Sequence, residues 1–392
     1  MPTKTSPREI VVRCSGGRHP VRLGKGIRFW RAAKCPVCRA SVDPKRIRRL
    51  LRWCWNLGRP ASGSWPHKGL WWGTFGFLAF AIFTAVVLWA FGDIWWPATV
   101  LLFGPRWVLL LPLSGLVPLA VLWDRPLIST QLMAGLVILG PVMGFQMAWR
   151  SLVPGQGRAQ DIQVVTLNAR GGMELTRSPA NLLAELGADV LAIQECSPGL
   201  RAMVGGLSLW ETDSRSGVCL VSRFPIAEVF EMEREALESA GGSGVVVTYE
   251  LDIEGSPVYL TSVHLETPRA GFELVRAGRL EEGIPKVREK SFLRGIELRR
   301  ASSWAEKIEG AQIVLGDFNT PPESRAFREN WAEWQNTFSA AGWGFGGTRL
   351  NGWIRVRIDH ILVNEGWKVV DAWVGTDVGS DHLPVVARIR LR

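Results

Sequence analysis

The chain has 392 residues, of which 47% are hydrophobic and 21% charged, and it contains 20 tryptophans but only two tyrosines. This composition excludes a largely disordered protein, and the length exceeds what one small domain requires. The net charge of +10 is unevenly placed: residues 1–69 carry +15, residues 70–150 carry +1 and residues 151–392 carry −6. The chain is therefore not uniformly basic, and the three regions need separate explanations.

The basic N-terminal region contains a pattern of cysteine and histidine that is compatible with zinc. Four residues form the spacing C-x4-H-x15-C-x2-C: Cys14, His19, Cys35 and Cys38. Tetrahedral Zn²⁺ takes such ligands, so we predict a zinc-ribbon-like head over residues 1–43 that recruits a cytosolic partner; Cys54 is an alternative fourth ligand. In the opposing interpretation these are reduced thiols. The remaining cysteines, Cys196 and Cys219, are predicted to be buried thiols, although an oxidising compartment would allow them to pair.

Residues 69–149 are predicted to form a membrane region of about three helices. The first uncharged run has 22 residues, 69–90, and at about 1.5 Å per residue it crosses a bilayer core of roughly 30 Å. Further uncharged runs cover residues 107–123 and 127–149. The piece 94–104 either lies in the membrane interface or lengthens the second span. The opposing interpretation of the whole region is a buried helical hairpin in a soluble protein.

Basic residues predict the orientation of this region. The juxtamembrane segment 44–68 is rich in arginine, whereas the loop after the first span contains only Arg106. By the positive-inside rule the N-terminus is cytoplasmic, and the segment either lies on anionic lipid or serves as the positive anchor. Three spans then place the linker 150–161 and the following residues outside the cytoplasm, in a multi-pass protein of the cell membrane. An even number of spans would reverse this.

From residue 162 to residue 392 short β-rich runs alternate with helical stretches, which indicates a soluble α+β domain. Polar residues stand at the ends of these runs: Asn168, Glu195, His264, Asp317, Asn319, Asp359, His360, Asp381 and His382. A single acid at a strand end is usually a turn or cap residue. Because so many segments carry groups suited to metal-assisted phosphate chemistry, we predict an active site built from several strand ends.

The motifs along this region occur in a characteristic order: N, QE, SRFPI, HLE, GDFN, RIDHIL and SDHLP, across residues 162–390. In this order they resemble the endonuclease/exonuclease/phosphatase superfamily of deoxyribonuclease I-like phosphohydrolases. The resemblance implies a four-layer α/β/β/α sandwich that hydrolyses phosphate esters with Mg²⁺ or Mn²⁺, as a nuclease, a phospholipid phosphodiesterase or a phosphatase. It covers neither the head nor the membrane region.

The resemblance also implies the ligands and the water-activating group. Glu195, helped by Asn168, offers the oxygen ligands that Mg²⁺ prefers, and Asp381 orients either the metal or a water. Asp317 positions or deprotonates the attacking water. Asn319 donates its amide to the oxygens of the transition state.

Two histidines complete the expected catalytic set. His382 binds a phosphate oxygen or the leaving group, and Asp359 accepts its other ring proton. His264 resembles the family's second catalytic histidine. His360 is expected to be structural, because a strand neighbour of Asp359 points to the opposite face.

The substrate is less sharply predicted than the chemistry. The charge of −6 over residues 151–392 argues against broad attraction to nucleic acid, whereas a membrane tether favours a phospholipid headgroup. Four arginines on the helix-prone stretch after His264 are expected to be solvated rather than phosphate-binding: Arg269, Arg294, Arg299 and Arg300. The competing interpretation is a non-catalytic membrane scaffold or sensor that binds a phosphorylated ligand.

Overall fold

A computed structural model describes the following residues: 11–13, 20–22, 63–148, 160–172, 175–352 and 354–392. The predicted zinc ligands lie outside the described residues: Cys14, His19, Cys35 and Cys38. Most of the predicted juxtamembrane segment and linker lie outside them as well. The chain forms two compact units, one from the described part of Met1–Gly76 with Leu113–Gln131 and one from Phe77–Pro112 with Leu132–Arg392.

The helices and strands are numbered here in chain order within the described residues. The α-helices are α1 (Trp65–Phe91), α2 (Trp96–Phe103), α3 (Leu111–Trp123), α4 (Leu127–Val137), α5 (Pro179–Leu186), α6 (Pro198–Gly205), α7 (Glu235–Ser239), α8 (Arg269–Arg276), α9 (Leu280–Ala305), α10 (Arg325–Asn330) and α11 (Thr337–Ala341). The strands are β1 (Val11–Arg13), β2 (Pro20–Arg22), β3 (Gln146–Met147), β4 (Ile162–Asn168), β5 (Val190–Gln194), β6 (Glu211–Arg215), β7 (Val218–Ser222), β8 (Ile226–Glu231), β9 (Val245–Ile253), β10 (Ser256–His264), β11 (Ala311–Asp317), β12 (Gln335–Asn336), β13 (Trp343–Gly344), β14 (Arg349–Asn351), β15 (Ile354–Val356), β16 (Asp359–Val363), β17 (Trp367–Val374) and β18 (Val385–Leu391).

Two helical stretches among the described residues are long and apolar enough to cross a membrane, where the sequence predicts three. They are α1 and the stretch Arg106–Trp123, in which a 3-10 turn continues into α3. The third run forms a shorter helical stretch, Leu127–Val142. Its last turn is a π-helix that contains Pro141, and the backbone then turns at Gly144 with φ 75°. Proline lacks a backbone N–H and left-handed glycine ends helices, so this run does not reach Trp149 as a helix.

The larger unit contains two six-stranded sheets. The first has the order β17-β18-β4-β5-β7-β6, and the second has the order β12-β16-β11-β10-β9-β8. In each sheet one central pair is parallel, β4 with β5 and β10 with β11, and the other neighbours are antiparallel. Both faces of the central strands are covered, so they read as continuous apolar runs such as the fully buried β5.

Three apolar clusters define the layers of this unit. Residues of both sheets, such as Val164 and Leu315, share the cluster between the sheets. Leu182 of α5 packs with outer-face residues of the first sheet. Leu298 of α9 and Phe327 of α10 pack with outer-face residues of the second sheet. This mixed α/β sandwich of helix, sheet, sheet and helix agrees with the architecture that the sequence predicts.

Cys196 and Cys219 are buried as predicted, but they are not free thiols: they form a disulfide with their Cα atoms 5.8 Å apart, the alternative that the sequence left open. β7 pairs with β5 so that Cys219 lies opposite Ile193, and the N–H of Cys196 donates to the carbonyl of Gly217. This strand register brings together two cysteines that are 23 residues apart in sequence.

Candidate active site

The two parallel strand pairs deliver the predicted polar residues to one region of the sandwich. In the first sheet Asn168 ends β4, and Glu195 directly follows β5. In the second sheet His264 ends β10 opposite Asp317, which ends β11 and lies opposite Asp359 of β16. Parallel neighbours end on the same side of a sheet, so residues far apart in sequence become neighbours.

Asp317 lies at the centre of this group. Its Oδ2 accepts a hydrogen bond from Asn168 Nδ2 at 3.0 Å and lies 3.8 Å from His382 Nε2 and 4.0 Å from His264 Nε2. Its Oδ1 accepts the backbone N–H of Asn319 at 2.8 Å. The carboxylate is buried, with 1% of the residue exposed. It is therefore held in place on both oxygens and faces two imidazoles.

The electrostatic environment of Asp317 raises the pKa of its carboxyl group above the ordinary value. Burial raises the pKa of Asp317, and the neighbouring carboxylate of Asp359 raises it further. His382 and His264 act in the opposite direction but do not cancel this rise in the pKa. A carboxylate with a raised pKa is a stronger proton acceptor than an ordinary aspartate, as a general base requires.

His382 and Asp359 form a buried acid–imidazole pair. Asp359 Oδ2 lies 2.8 Å from His382 Nδ1, and the backbone N–H of His382 donates to Ser380 Oγ. Burial alone would lower the pKa of His382, but the carboxylates of Asp359 and Asp317 outweigh it and raise this pKa to about 9. The imidazole is therefore protonated at neutral pH, with Nε2 on the side of Asp317.

Glu195 provides carboxylate oxygens beside this pair, whereas Asn168 turns its amide nitrogen toward it and its Oδ1 accepts the backbone N–H of Arg170. Asn168 Nδ2 bridges the two carboxylates, at 3.1 Å from Glu195 Oε1 and 3.0 Å from Asp317 Oδ2. His264 Nε2 lies 3.5 Å from Glu195 Oε1. Carboxylate and amide oxygens suit a hard divalent cation. A buried Asp317, Asp359 and His382 group also has ligand atoms within 4.8 Å of one another, although two of its members already bind each other.

Backbone strain is concentrated at this site. Arg170, Glu195 and Asn319 adopt positive φ values of 47°, 51° and 47°. Left-handed backbone is uncommon for residues with a Cβ and costs about 1 kcal/mol or more, so it persists where surrounding contacts impose it. For Asn319 one such contact is visible, because its Nδ2 donates to the carbonyl of Leu265 at 2.8 Å. One N–H of the predicted transition-state donor is thus already used.

Asp381 binds two arginines that sequence reasoning missed. Its Oδ2 lies 3.4 Å from Arg170 Nε and also pairs with Arg349 Nη1. Its Oδ1 is buried without a hydrogen-bond partner in the described part of the chain, as is Asp359 Oδ1. Arg170 follows Asn168 so closely that the NARGG sequence was a usable signal. Arg349 lies in a Gly-rich stretch, and only the fold brings it to Asp381.

A cleft of about 1040 Å³ opens at this group of residues. The predicted site residues that line it are Glu195, His264, Asp317, Asn319, Asp381 and His382. The arginines that line it are Arg170, Arg269, Arg276 and Arg349. Asn168 and Asp359 are buried beneath it, with 1% of each residue exposed. The cleft therefore combines carboxylates, imidazoles and guanidinium groups that match a phosphate ester.

Two residues behave differently from the rest of the predicted set. His360 lies outside this cleft: its Nε2 donates to the carbonyl of Thr320 and its Nδ1 accepts from Asn336. Burial and the nearby Arg357 lower the pKa of His360 to about 4, so this ring is neutral. Arg294 was expected to be solvated, which is wrong, because it is fully buried against Asp93.

The profile of the Endonuclease/Exonuclease/phosphatase family matches residues 165–382, which is more than half of the chain. The chain belongs to this family. Family members hydrolyse phosphoester bonds as nucleases or phosphatases, and they typically use divalent metals. The matched segment includes Asn168, Glu195, His264 and Asp317 and ends at His382, so it contains the whole group described above.

Several solved structures are similar to the chain. An endonuclease/exonuclease/phosphatase from Beutenbergia cavernae DSM 12333 is 18% identical, with a TM-score of 0.43, and the match covers 59% of this chain and 72% of that one. D. rerio TDP2 complexed with single strand DNA product is 15% identical, with a TM-score of 0.44 and coverage of 59% and 100%. A mannosyl-6-phosphatase of Bacteroides thetaiotaomicron VPI-5482 is 14% identical, with a TM-score of 0.42 and coverage of 58% and 99%. No curated protein sequence matches the chain.

Proposed function

We propose that this family member is a membrane-anchored, divalent-metal-dependent phosphohydrolase that acts on phosphodiesters. The observation that carries the proposal is the arrangement around Asp317, which contacts Asn168 and lies within 4 Å of two histidines, one of them paired with Asp359. A proton acceptor and a protonated imidazole thus lie side by side in one cleft, as hydrolysis of a phosphate ester requires.

Glu195 and Asn168 are the residues that would hold Mg²⁺ or Mn²⁺, and Asp381, with one buried oxygen lacking a partner in the described residues, is a further ligand candidate. The carboxylate oxygens fit a hard cation, and Asn168 Oδ1, which accepts the backbone N–H of Arg170, keeps a second lone pair for it. When bound, such a cation polarises a phosphoryl oxygen and neutralises the charge that develops during hydrolysis.

The protein groups divide the remaining work. Asp317, with its raised pKa, accepts the proton of the attacking water. His382, held and kept protonated by Asp359, donates to a phosphoryl oxygen or to the leaving oxygen, and Asn319 supplies its second amide N–H. His264 lies between Glu195 and Asp317 and assists the leaving group. Arg170 and Arg349 hold Asp381 at the cleft wall.

Membrane attachment is supported by the exposure of apolar side chains on the long helices. Trp72 of α1 is 68% exposed and Leu111 of α3 is 56% exposed. In the most apolar 18 residues of each stretch, the buried share is 33% for Trp65–Phe91 and 11% for Arg106–Trp123. The core helix of a soluble protein is mostly buried, so these two stretches differ from one. The Cys196–Cys219 disulfide supports an oxidising compartment for the sandwich, outside the cytoplasm. With a cytoplasmic N-terminus this placement requires the shorter apolar stretch Leu127–Val142 to act as a third span.

The metal requirement is tested with the full chain purified in detergent and bis(p-nitrophenyl) phosphate as substrate. We expect turnover with Mg²⁺ or Mn²⁺, loss of turnover with EDTA, and recovery when the cation is restored. Glu195→Gln is expected to raise the Mg²⁺ concentration for half-maximal rate by about tenfold or more, since one ligand charge is lost. The matched control Glu185→Gln alters an exposed acid on α5 paired with Arg177 and leaves the metal requirement unchanged.

The same assay separates the enzyme from the alternative of a non-catalytic membrane scaffold or sensor for a phosphorylated ligand. A sensor binds the diester without releasing p-nitrophenolate, so equal absorbance changes with Mg²⁺ and with EDTA would contradict the proposal. The zinc-ribbon-like head and its cytosolic partner stay predictions from the sequence. Zinc analysis of the purified chain, compared with a Cys35→Ser/Cys38→Ser variant, tests the head independently of catalysis.

A further inference from the structure

One wall of the active-site cleft comes from residues that precede the family region. Val100 and Phe103 of α2, with Gly104 and Pro105 after it, line the same cleft as Asp317. The family profile begins only at residue 165. Any effect of this wall on substrate choice is therefore specific to this protein and does not follow from family membership.

Two buried ion pairs hold the wall in place at both of its ends. Before α2, Asp93 Oδ1 lies 3.1 Å from Arg294 Nη2, with 8% and 1% of the two side chains exposed. After α2, Arg106 Nη1 lies 3.1 Å from Glu323 Oε2, with 8% and 12% exposed. The second Asp93 oxygen accepts the backbone N–H of Ala326 at the start of α10. Breaking a buried pair leaves an unpaired charge, so these contacts fix α2 against the sandwich within the same unit.

Aromatic contacts complete the wall on its inner side. The ring of Phe103 lies 5.1 Å from the ring of Phe272 on α8, centroid to centroid, and Phe272 also lines the cleft. The guanidinium of Arg294 lies 5.2 Å from the centroid of the Phe103 ring. Phe103 is thus held between α8 and α9. The cleft therefore combines charged groups that match a phosphate with an apolar wall whose side chains cannot bind the phosphate.

From this combination we infer that the substrate is an amphiphile, a phosphoester that carries an apolar chain. The phosphate occupies the end with Asp317 and His382, and the chain lies against Val100, Phe103 and Phe272. Burying the chain removes apolar surface of both partners from water, and this contributes to binding in proportion to chain length. The inference rests on the proposed function, because it extends the substrate of the same site.

A homologous series of substrates tests the inference with a constant leaving group. Methyl, butyl and octyl p-nitrophenyl phosphate are given to the full chain in detergent with Mg²⁺, below the concentrations at which the esters form micelles. We expect kcat/KM to rise with chain length, by about tenfold or more from the methyl to the octyl ester. Equal kcat/KM values for the three esters would overturn the inference and leave the proposed function standing. No turnover of any ester would instead contradict the proposed function.

Variants of the wall residues show whether the wall itself contacts the alkyl chain of the substrate. In Phe103→Ser and, separately, Phe272→Ser, the ratio of octyl to methyl kcat/KM is expected to fall at least about threefold. The matched control Phe292→Ser changes an exposed phenylalanine of α9, 69% exposed and outside the cleft lining, and keeps the ratio of the unmodified chain. A ratio that stays unchanged in both wall variants would overturn the inference. Partition of esters into detergent affects all variants equally and cancels in this comparison.

One further experiment distinguishes a substrate that lies in a membrane from one dispersed in solution. Hexadecyl p-nitrophenyl phosphate in phosphatidylcholine vesicles that contain the protein is compared with octyl ester in solution. Faster turnover in vesicles supports the inference with a membrane lipid as source, and faster turnover in solution supports it with a dispersed amphiphile. Cleavage of a single-stranded oligonucleotide with a higher kcat/KM than either ester would overturn it in favour of nucleic acid.

Discussion

The apolar helices and the sandwich differ in which side chains they bury and which they expose. In the sandwich, Asp317, Asp359 and His382 are buried, and each has a specific partner, while the apolar side chains fill the clusters between layers. In α1 and α3 many of the large apolar side chains are exposed, as with Trp72 and Leu111. Buried charges persist only when they are paired, and exposed apolar surface persists when a lipid or a partner covers it. The paired buried charges support the chemistry proposed for the first region, and the exposed apolar surface supports the membrane attachment proposed for the second.

Removal of the buried imidazole should be among the most damaging changes to the proposed active site. His382→Ala is expected to lower kcat for bis(p-nitrophenyl) phosphate by about 10³-fold, because the protonated donor and its pairing with Asp359 are lost together. His67→Ala is the matched control, since His67 lies on α1 and pairs with Asp124. A loss of less than threefold in His382→Ala would show that the pair has a structural role only.

Most residues of the candidate site could be predicted from the sequence. Asn168, Glu195, His264 and Asp317 stand at the ends of apolar runs. Parallel pairing gathers Asn168 with Glu195 and His264 with Asp317, and the packing of the two sheets brings the two pairs together. Arg349 was not found, because its contact with Asp381 depends on the register of a loop and not on any local pattern. The same holds for the Cys196–Cys219 disulfide, which depends on how β5 pairs with β7.

In the apolar region hydropathy predicts that helices exist but not where each one ends. The run after Leu127 contains no charge up to Trp149, yet Pro141 and Gly144 end its helix early. From the sequence, segment 94–104 either lies in the membrane interface or lengthens the second span. In the structure its charged neighbours Asp93 and Arg106 form buried ion pairs with Arg294 and Glu323, and these pairs fix its position. Partners so distant in sequence leave no trace in local composition.

The contact between the segment before α2 and the catalytic unit can be broken at Arg294. Arg294→Met leaves Asp93 buried without its partner and should destabilise the unit by about 3 kcal/mol. Thermal unfolding of the full chain in detergent, followed by tryptophan fluorescence, is expected to show a midpoint lower by roughly 6–10 °C. Arg299→Met, an exposed position on the same helix, should keep its midpoint. An unchanged midpoint in Arg294→Met would mean that this ion pair does not hold α2.

The pH dependence sharpens the role of the Asp359–His382 pair by a smaller effect. The pKa of His382 is raised to about 9, so activity that needs the protonated ring is retained at neutral pH and falls as pH rises through that value. In Asp359→Asn the pKa of His382 drops, and the alkaline limb of kcat/KM should move at least about one pH unit lower. The exposed Asp252→Asn control, near the end of β9, keeps the limb in place. An unmoved limb in Asp359→Asn would assign it to another group.

The central claim, that Asp317 is the proton acceptor of a metal-dependent phosphohydrolase, is tested most directly by one comparison of turnover. Asp317→Asn and Asp252→Asn are purified as full chains and assayed with bis(p-nitrophenyl) phosphate at saturating Mg²⁺. The account predicts that Asp317→Asn loses about 10³-fold or more in kcat, because its amide cannot accept the proton, while Asp252→Asn keeps the rate of the unmodified chain. Equal turnover by the two variants would contradict it.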